Sequence, residues 1–175
     1  MRKAMHILGI LSDVDVDWLK RTGRKRTLEP GTLLVQQGIP MADLYLVTDG
    51  EMQVFAGQGN GVVLATLYAG EIIGEISFVN RRLPTASVRA VKPSKVLAIH
   101  RATLQEKLLA DVGFASRFYL AIASFLAERL TVTTSRLGFG AAGQDAEHEE
   151  GLDDADMDEI SIGTMRLDKL LRGDN

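Results

Sequence analysis

The chain has 175 residues, 46% of them hydrophobic, a formal charge of −3 and no cysteine. That apolar content supports one core plus appendages, and the missing cysteines exclude disulfides and thiolate metal sites. No apolar run approaches the roughly 18 residues needed to span a bilayer. The apolar stretch at 7–11 is too short for the core of a secretory signal, so a cytoplasmic protein without membrane contact is expected.

The charge is unevenly placed. Residues 144–159 hold nine acids and no Lys or Arg, and without them the balance would be +6. A basic cluster, Lys20, Arg21, Arg24, Lys25 and Arg26, reads as a solvated helix end and strand start rather than a nucleic-acid patch.

In chain order, Ser12 is a candidate N-cap for a short helix with acids in its first turns and Val14, Trp18 and Leu19 turned inward. Short β-like runs follow at 32–36, 44–48, 52–55, 62–67, 85–91 and 95–99, with turns at Pro30-Gly31, Gly38, Asp49-Gly50 and 57–61. Strands this short, at this spacing, predict an antiparallel barrel or sandwich. The glycines at 57–61 lack the Gly-Lys-Ser/Thr of a P-loop and read as a hairpin tip.

From Asp111 the period becomes helical, with Phe114, Phe118, Ala121, Ile122, Phe125, Leu126, Leu130 and Leu137 on one broad stripe and Gly138 and Gly140 ending the helix. An acidic linker follows. The amphipathic stretch 160–172 is too short to fold alone; docking on its own barrel is favoured over pairing in a dimer or binding a partner.

Chemistry concentrates in Gly70-Glu71-Ile72-Ile73-Gly74-Glu75-Ile76-Ser77-Phe78 and in Pro84-Thr85-Ala86-Ser87-Val88. Glycine lets a ligand approach the main chain, and successive N–H groups at a short helical turn make a concave anion site. Glu75 supplies an acceptor for a hydroxyl beside that anion, and Thr85 a donor. Together these describe a sugar-phosphate pocket.

This segment closely resembles the phosphate-binding cassette of cyclic nucleotide-binding domains of the catabolite-activator type. The order of glycines from Pro30-Gly31 to Gly74-Glu75 extends the resemblance over residues 7–138. It implies a mainly β fold with flanking helices: an antiparallel jelly-roll β-barrel over about residues 24–100, then a long C-terminal helix over about 111–137. The domain is expected to run from 1 to 137, with a Gly-rich and acidic linker at 138–159 and a short amphipathic tail at 160–175.

By resemblance, Ile73, Gly74, Glu75, Ile76, Ser77, Pro84, Thr85 and Ala86 contact the ligand. The N–H groups of Ile76 and Ser77 face the cyclic phosphate, Glu75 binds the ribose 2′-hydroxyl, and Thr85 donates to a phosphate oxygen. The segment around Arg129, Thr133 and Thr134 resembles the family's adenine-contacting helix. Arg129 and Thr133 lie one turn apart on one face; the resemblance implies that Arg129 pairs with Glu75 or the ribose, that Thr133 reaches the base, and that Thr134 reaches a base held by the other subunit. The same helix is the family's dimer axis, which implies a homodimer.

One position departs. The family carries an arginine before the Thr-Ala pair to neutralise the phosphate, and this chain has Pro84. Loss of a buried charge partner costs on the order of 3–5 kcal/mol. Arg82, Arg81 or Arg89 are the candidate substitutes. The alternatives are weak cyclic nucleotide binding, another ligand such as a cyclic dinucleotide, or a ligand-free adaptor.

No constellation supports catalysis or a metal: His6, His100 and His148 are scattered, and the acidic run lacks an EF-hand pattern. The expected protein is therefore not an enzyme and requires no cofactor. It is a stand-alone sensor for cAMP or a related cyclic nucleotide that signals to an unknown effector protein. The acid-rich residues after Gly138 repel phosphate backbones, so DNA binding by this chain is not expected.

Overall fold

The computed structural model describes residues 6–57, 61–136 and 154–171. Helix α1 (His6–Ile10) leads to Ser12, whose Oγ accepts from the Asp15 N–H at 3.3 Å while the Asp15 carboxylate accepts from the Ser12 N–H at 2.8 Å. This reciprocal cap starts α2 (Asp13–Thr22) where the sequence places it. The cap also turns Asp15 inward, where it is 2% exposed and ion-paired with Arg117 at 2.6 Å. The buried face therefore runs through Asp15, Val16 and Leu19. Val14, expected inside, falls on the opposite side and is 70% exposed, and Trp18 is only partly buried, edge-on to Phe114.

The strands are β1 (Arg24–Leu28), β2 (Leu33–Val35), β3 (Asp43–Asp49), β4 (Glu51–Ala56), β5 (Val62–Tyr68) and β6 (Ile72–Ile73). After the short helix α3 (Glu75–Asn80) come β7 (Ser87–Ala90) and β8 (Ser94–His100). They form two antiparallel four-stranded sheets, ordered β1-β8-β3-β6 and β2-β7-β4-β5. The β3–β4 turn needs Gly50: its φ is 90°, and a Cβ there would collide with the Pro93 carbonyl and Ser94.

Alternation of side chains explains the layering. On β3, Tyr45 and Val47 join Val35, Met52, Leu67 and Val88 between the two sheets, whereas Leu44 and Leu46 face the helices. On β8, Val96 and Ala98 face one way and Leu97 and Ile99 the other. The first sheet is thus a middle layer, covered by the second sheet on one face and by helices on the other. This is the expected mainly β, jelly-roll architecture, although the two sheets do not close into a barrel by main-chain pairing among the described residues.

Helix α4 (Arg101–Ala110) hands over at Asp111, whose Oδ1 accepts from the Phe114 N–H at 2.9 Å, to the long α5 (Val112–Arg136). Phe114, Phe118, Ala121, Ile122 and Phe125 are buried as the stripe predicts; Leu126 is half-buried and Leu130 exposed. Leu137, Gly138, Gly140 and His148 lie outside the described residues.

Helix α6 (Asp154–Leu171) begins six residues before the apolar pattern does, because an acidic first turn suits a helix N-terminus. It docks on α1 and α2. Arg166 donates to the Leu8 and Gly9 carbonyls, both at 2.8 Å, and to Asp13 at 2.8 Å, while Lys169 pairs with Asp17. Leu167 and Leu170 complete the helix-side core. Among the described residues, no helix is long and apolar enough to cross a membrane.

Candidate functional site

The chain leaves β6 through Gly74, whose φ of 95° is left-handed, and enters α3 at once. A Cβ at Gly74 would strike the methyl of Met41, so both the backbone angle and the close approach require glycine. The Phe78 N–H donates to the Gly74 carbonyl at 2.9 Å and closes the turn. Behind it, Arg101 donates to the Ser77 carbonyl at 2.6 Å and lies over the Phe78 ring. Arg101 thereby fastens the cassette to α4, a role its sequence position just after a strand does not signal.

In front of the turn is a cavity of about 500 Å³, within the range of small-molecule pockets. Its floor is apolar, from Val35, Val54, Leu67 and Val88. The structure gathers around it Ile73, Gly74, Glu75, Ile76, Ser77, Pro84, Thr85, Ala86, Arg129 and Thr133. Leu126 and Leu130 of α5, with Leu64 and Ala65 of β5, complete its rim.

Glu75 is 3% exposed and pairs with Arg129 of α5 at 2.6 Å; the guanidinium also lies over Phe125, 5.0 Å from its centroid. Burial pushes the Glu75 carboxyl above its ordinary range, and Arg129 with the Gly74 and Glu75 N–H groups offsets only part of that. Nearby Glu71, outside the lining, is pushed by burial to about 7, with Glu128 and Glu75 adding to the rise and Arg129 opposing it. Sequence reasoning missed Glu71, because the α5 charges that act on it, Glu128 and Arg129, are far away in the chain. Among the described residues that line the cavity, Arg129 is the single cation and Glu75 the single carboxylate.

The other expected residues lie elsewhere. The Thr134 hydroxyl donates to the Leu130 carbonyl at 2.9 Å and does not line the cavity. Thr133 does line it, although its hydroxyl proton goes to the Arg129 carbonyl at 2.7 Å. None of the three candidate substitutes for the missing arginine reaches the cavity. Arg81 is the left-handed residue that ends α3, and Arg81 and Arg82 are exposed on the loop. Arg89 shares the face of Ser87, as expected, but that face is the outer one: it is held by Gln53 at 2.9 Å, stacks on Phe55 and lines a separate outer hollow. Pro84 is buried, its carbonyl accepting from the Gly38 N–H at 2.9 Å. Among the described residues, no cluster of His, Cys, Asp or Glu could hold a metal ion.

The family model described as the cyclic nucleotide-binding domain matches residues 25–111. The chain is 39% identical over 85 residues to the cyclic nucleotide-gated channel beta-3 of Mus musculus, covering 46% of this chain but 12% of the channel. It is 30% identical over 106 residues to the cAMP-dependent protein kinase regulatory subunit of Yarrowia lipolytica, covering 61% of this chain and 28% of the subunit. The chain thus spans only a small part of these relatives. In fold it resembles the catabolite activator protein of Thermus thermophilus, with a TM-score of 0.59 at 22% identity over 92% of this chain and 82% of that one. Sequence match, two-sheet fold and a glycine-turned cassette beneath the long helix agree, and residues 25–111 of this chain belong to the cyclic nucleotide-binding domain family.

Proposed function

We propose that this chain is a regulatory sensor that binds cAMP or a related cyclic nucleotide in the cavity beneath α5, and that it is not an enzyme. The carrying observation is Glu75, buried at the cavity wall and clamped by Arg129 at 2.6 Å. A buried carboxylate beside an open cavity is poised to accept a ribose hydroxyl, and its partner sits on the helix that would report occupancy. The Ile76 and Ser77 main chain faces the phosphate, Thr85 donates to it, and Thr133 meets the base. Ligand shifts the equilibrium of α5 only by its differential affinity for the two positions of that helix. The output passes to an effector protein in the cytoplasm, across a homodimer paired along α5, without DNA binding by this chain.

Isothermal titration with cAMP, with cyclic GMP and cyclic di-GMP in parallel, tests the reading. Micromolar cAMP binding that Glu75→Ala abolishes is the expected result; heat with the dinucleotide alone would reassign the ligand. A second reading, a ligand-free adaptor, is favoured by Pro84 and by the mutual satisfaction of Glu75 and Arg129 without any ligand. Absence of both heat and thermal stabilisation with every nucleotide would decide for it.

A further inference from the structure

We propose that Arg129, on α5, is the counterion of the ligand's phosphate and so sets the preference of this pocket for a charged over a neutral nucleotide. The inference rests on the nucleotide-binding reading above. A phosphate entering the cavity carries a negative charge into a space whose floor is hydrocarbon, where an uncompensated charge is costly. Among the described lining residues it meets one cation, Arg129. Arg89 points to the outer face and is bound to Gln53, and neither Arg81 nor Arg82 lines the cavity.

Arg129 is equipped to serve two acceptors. The guanidinium has five N–H donors in a planar fork. Its ion pair with Glu75 runs through Nη1. The guanidinium also lies over the Phe125 ring, 5.0 Å from its centroid. With Nη1 on the Glu75 carboxylate, the fork keeps further N–H donors for a second acceptor, and for a ligand whose ribose sits on Glu75 that acceptor is the sugar's phosphate. The ligand's charge is then read by the helix itself, and charge recognition and helix position become one event.

The test compares cAMP with adenosine, which keeps base and ribose hydroxyls but lacks the phosphate. Titrations use the whole chain as wild type, Arg129→Gln, Arg129→Lys, Pro84→Arg and the double variant Pro84→Arg/Arg129→Gln. Wild type is expected to prefer cAMP by about 10- to 100-fold, the range of a charge-assisted hydrogen bond. Arg129→Gln should erase that preference by weakening cAMP alone, Arg129→Lys should retain part of it, and Pro84→Arg should restore it in the double variant.

Equal weakening of cAMP and adenosine by Arg129→Gln would overturn the inference, because the arginine would then act only through Glu75 and the ribose. A gain from Pro84→Arg of the same factor with and without Arg129 would also overturn it. If wild type does not distinguish the two ligands but Pro84→Arg does, the nucleotide reading stands and the role of Arg129 falls. If neither binds either ligand, both fall. Should Arg129→Gln fail to fold by circular dichroism, the comparison of Arg129→Lys with wild type decides: a greater loss of affinity for cAMP than for adenosine supports the charge role, and equal loss for both ligands refutes it.

Discussion

Glu71 feels charges from two helices, Glu75 of α3 and both Glu128 and Arg129 of α5. In the unfolded chain its carboxyl gives up its proton near 4.5, and in the fold near 7. Between those values the folded chain holds more protons than the unfolded one, so this site loses stability as pH rises through the window. The full penalty, on the order of 3 kcal/mol, is reached above the folded value. Glu71→Gln removes it. Urea denaturation should show the variant gaining on wild type from about pH 5 to pH 7 and levelling off above that, and a constant difference would rule the site out. The cassette residues were legible because they lie close together in the chain, Gly74 and Glu75 in one short run and Thr85 and Ala86 in the next. The unusual carboxyl was not, because Glu71 and Glu128 are joined by packing rather than by spacing. The same holds for Arg101, whose partner carbonyl belongs to Ser77.

At the level of elements, α2 shows how one cap directs a whole face. Ser12→Ala removes a single side-chain acceptor and should cost about 1 kcal/mol in urea unfolding. Asp15→Ala removes the reciprocal half of the cap and also strips Arg117 of its partner, so it should cost more, roughly 2–3 kcal/mol. A smaller loss for Asp15→Ala than for Ser12→Ala would mean that the contact with α5 contributes nothing. Ser12 and the acids of this helix were readable in the sequence, but Val14 was misplaced because the reading ranked apolar residues inward and could not see Arg117. Other elements were missed in whole or in part for identifiable reasons. The start of β1 was read from its basic cluster, but its extent was not, because only Leu28 is buried and Arg24 to Thr27 show no alternation. In α4 only Leu104 and Leu108 are buried, one turn apart, too few for a period to emerge. In α1 the helix has five residues.

For the molecule as a whole, the outer side of α5 bears on the proposed dimer. Tyr119, Leu120 and Leu130 are 48%, 57% and 64% exposed, and exposed Ala123 and Ala127 between them would let a second helix approach closely. Leu120→Glu is expected to convert a dimer to a monomer in sedimentation velocity without lowering the thermal midpoint of the subunit; an unchanged sedimentation coefficient would place the interface elsewhere. Helix α6 carries a different lesson. Arg166 closes on Leu8 across 158 residues of chain, and Leu167 and Leu170 fill the same core as Leu8 and Ile72. A contact of that span is made late, after its loop-closure entropy has been met. On the ribosome, α1 and the helix-facing side of β3 emerge first and stay uncovered while the rest of the chain is made. Helix α5 covers part of that apolar surface, and the cover is completed when α6 clears the exit tunnel, so a nascent chain stalled before Asp154 would be the species a chaperone most readily captures.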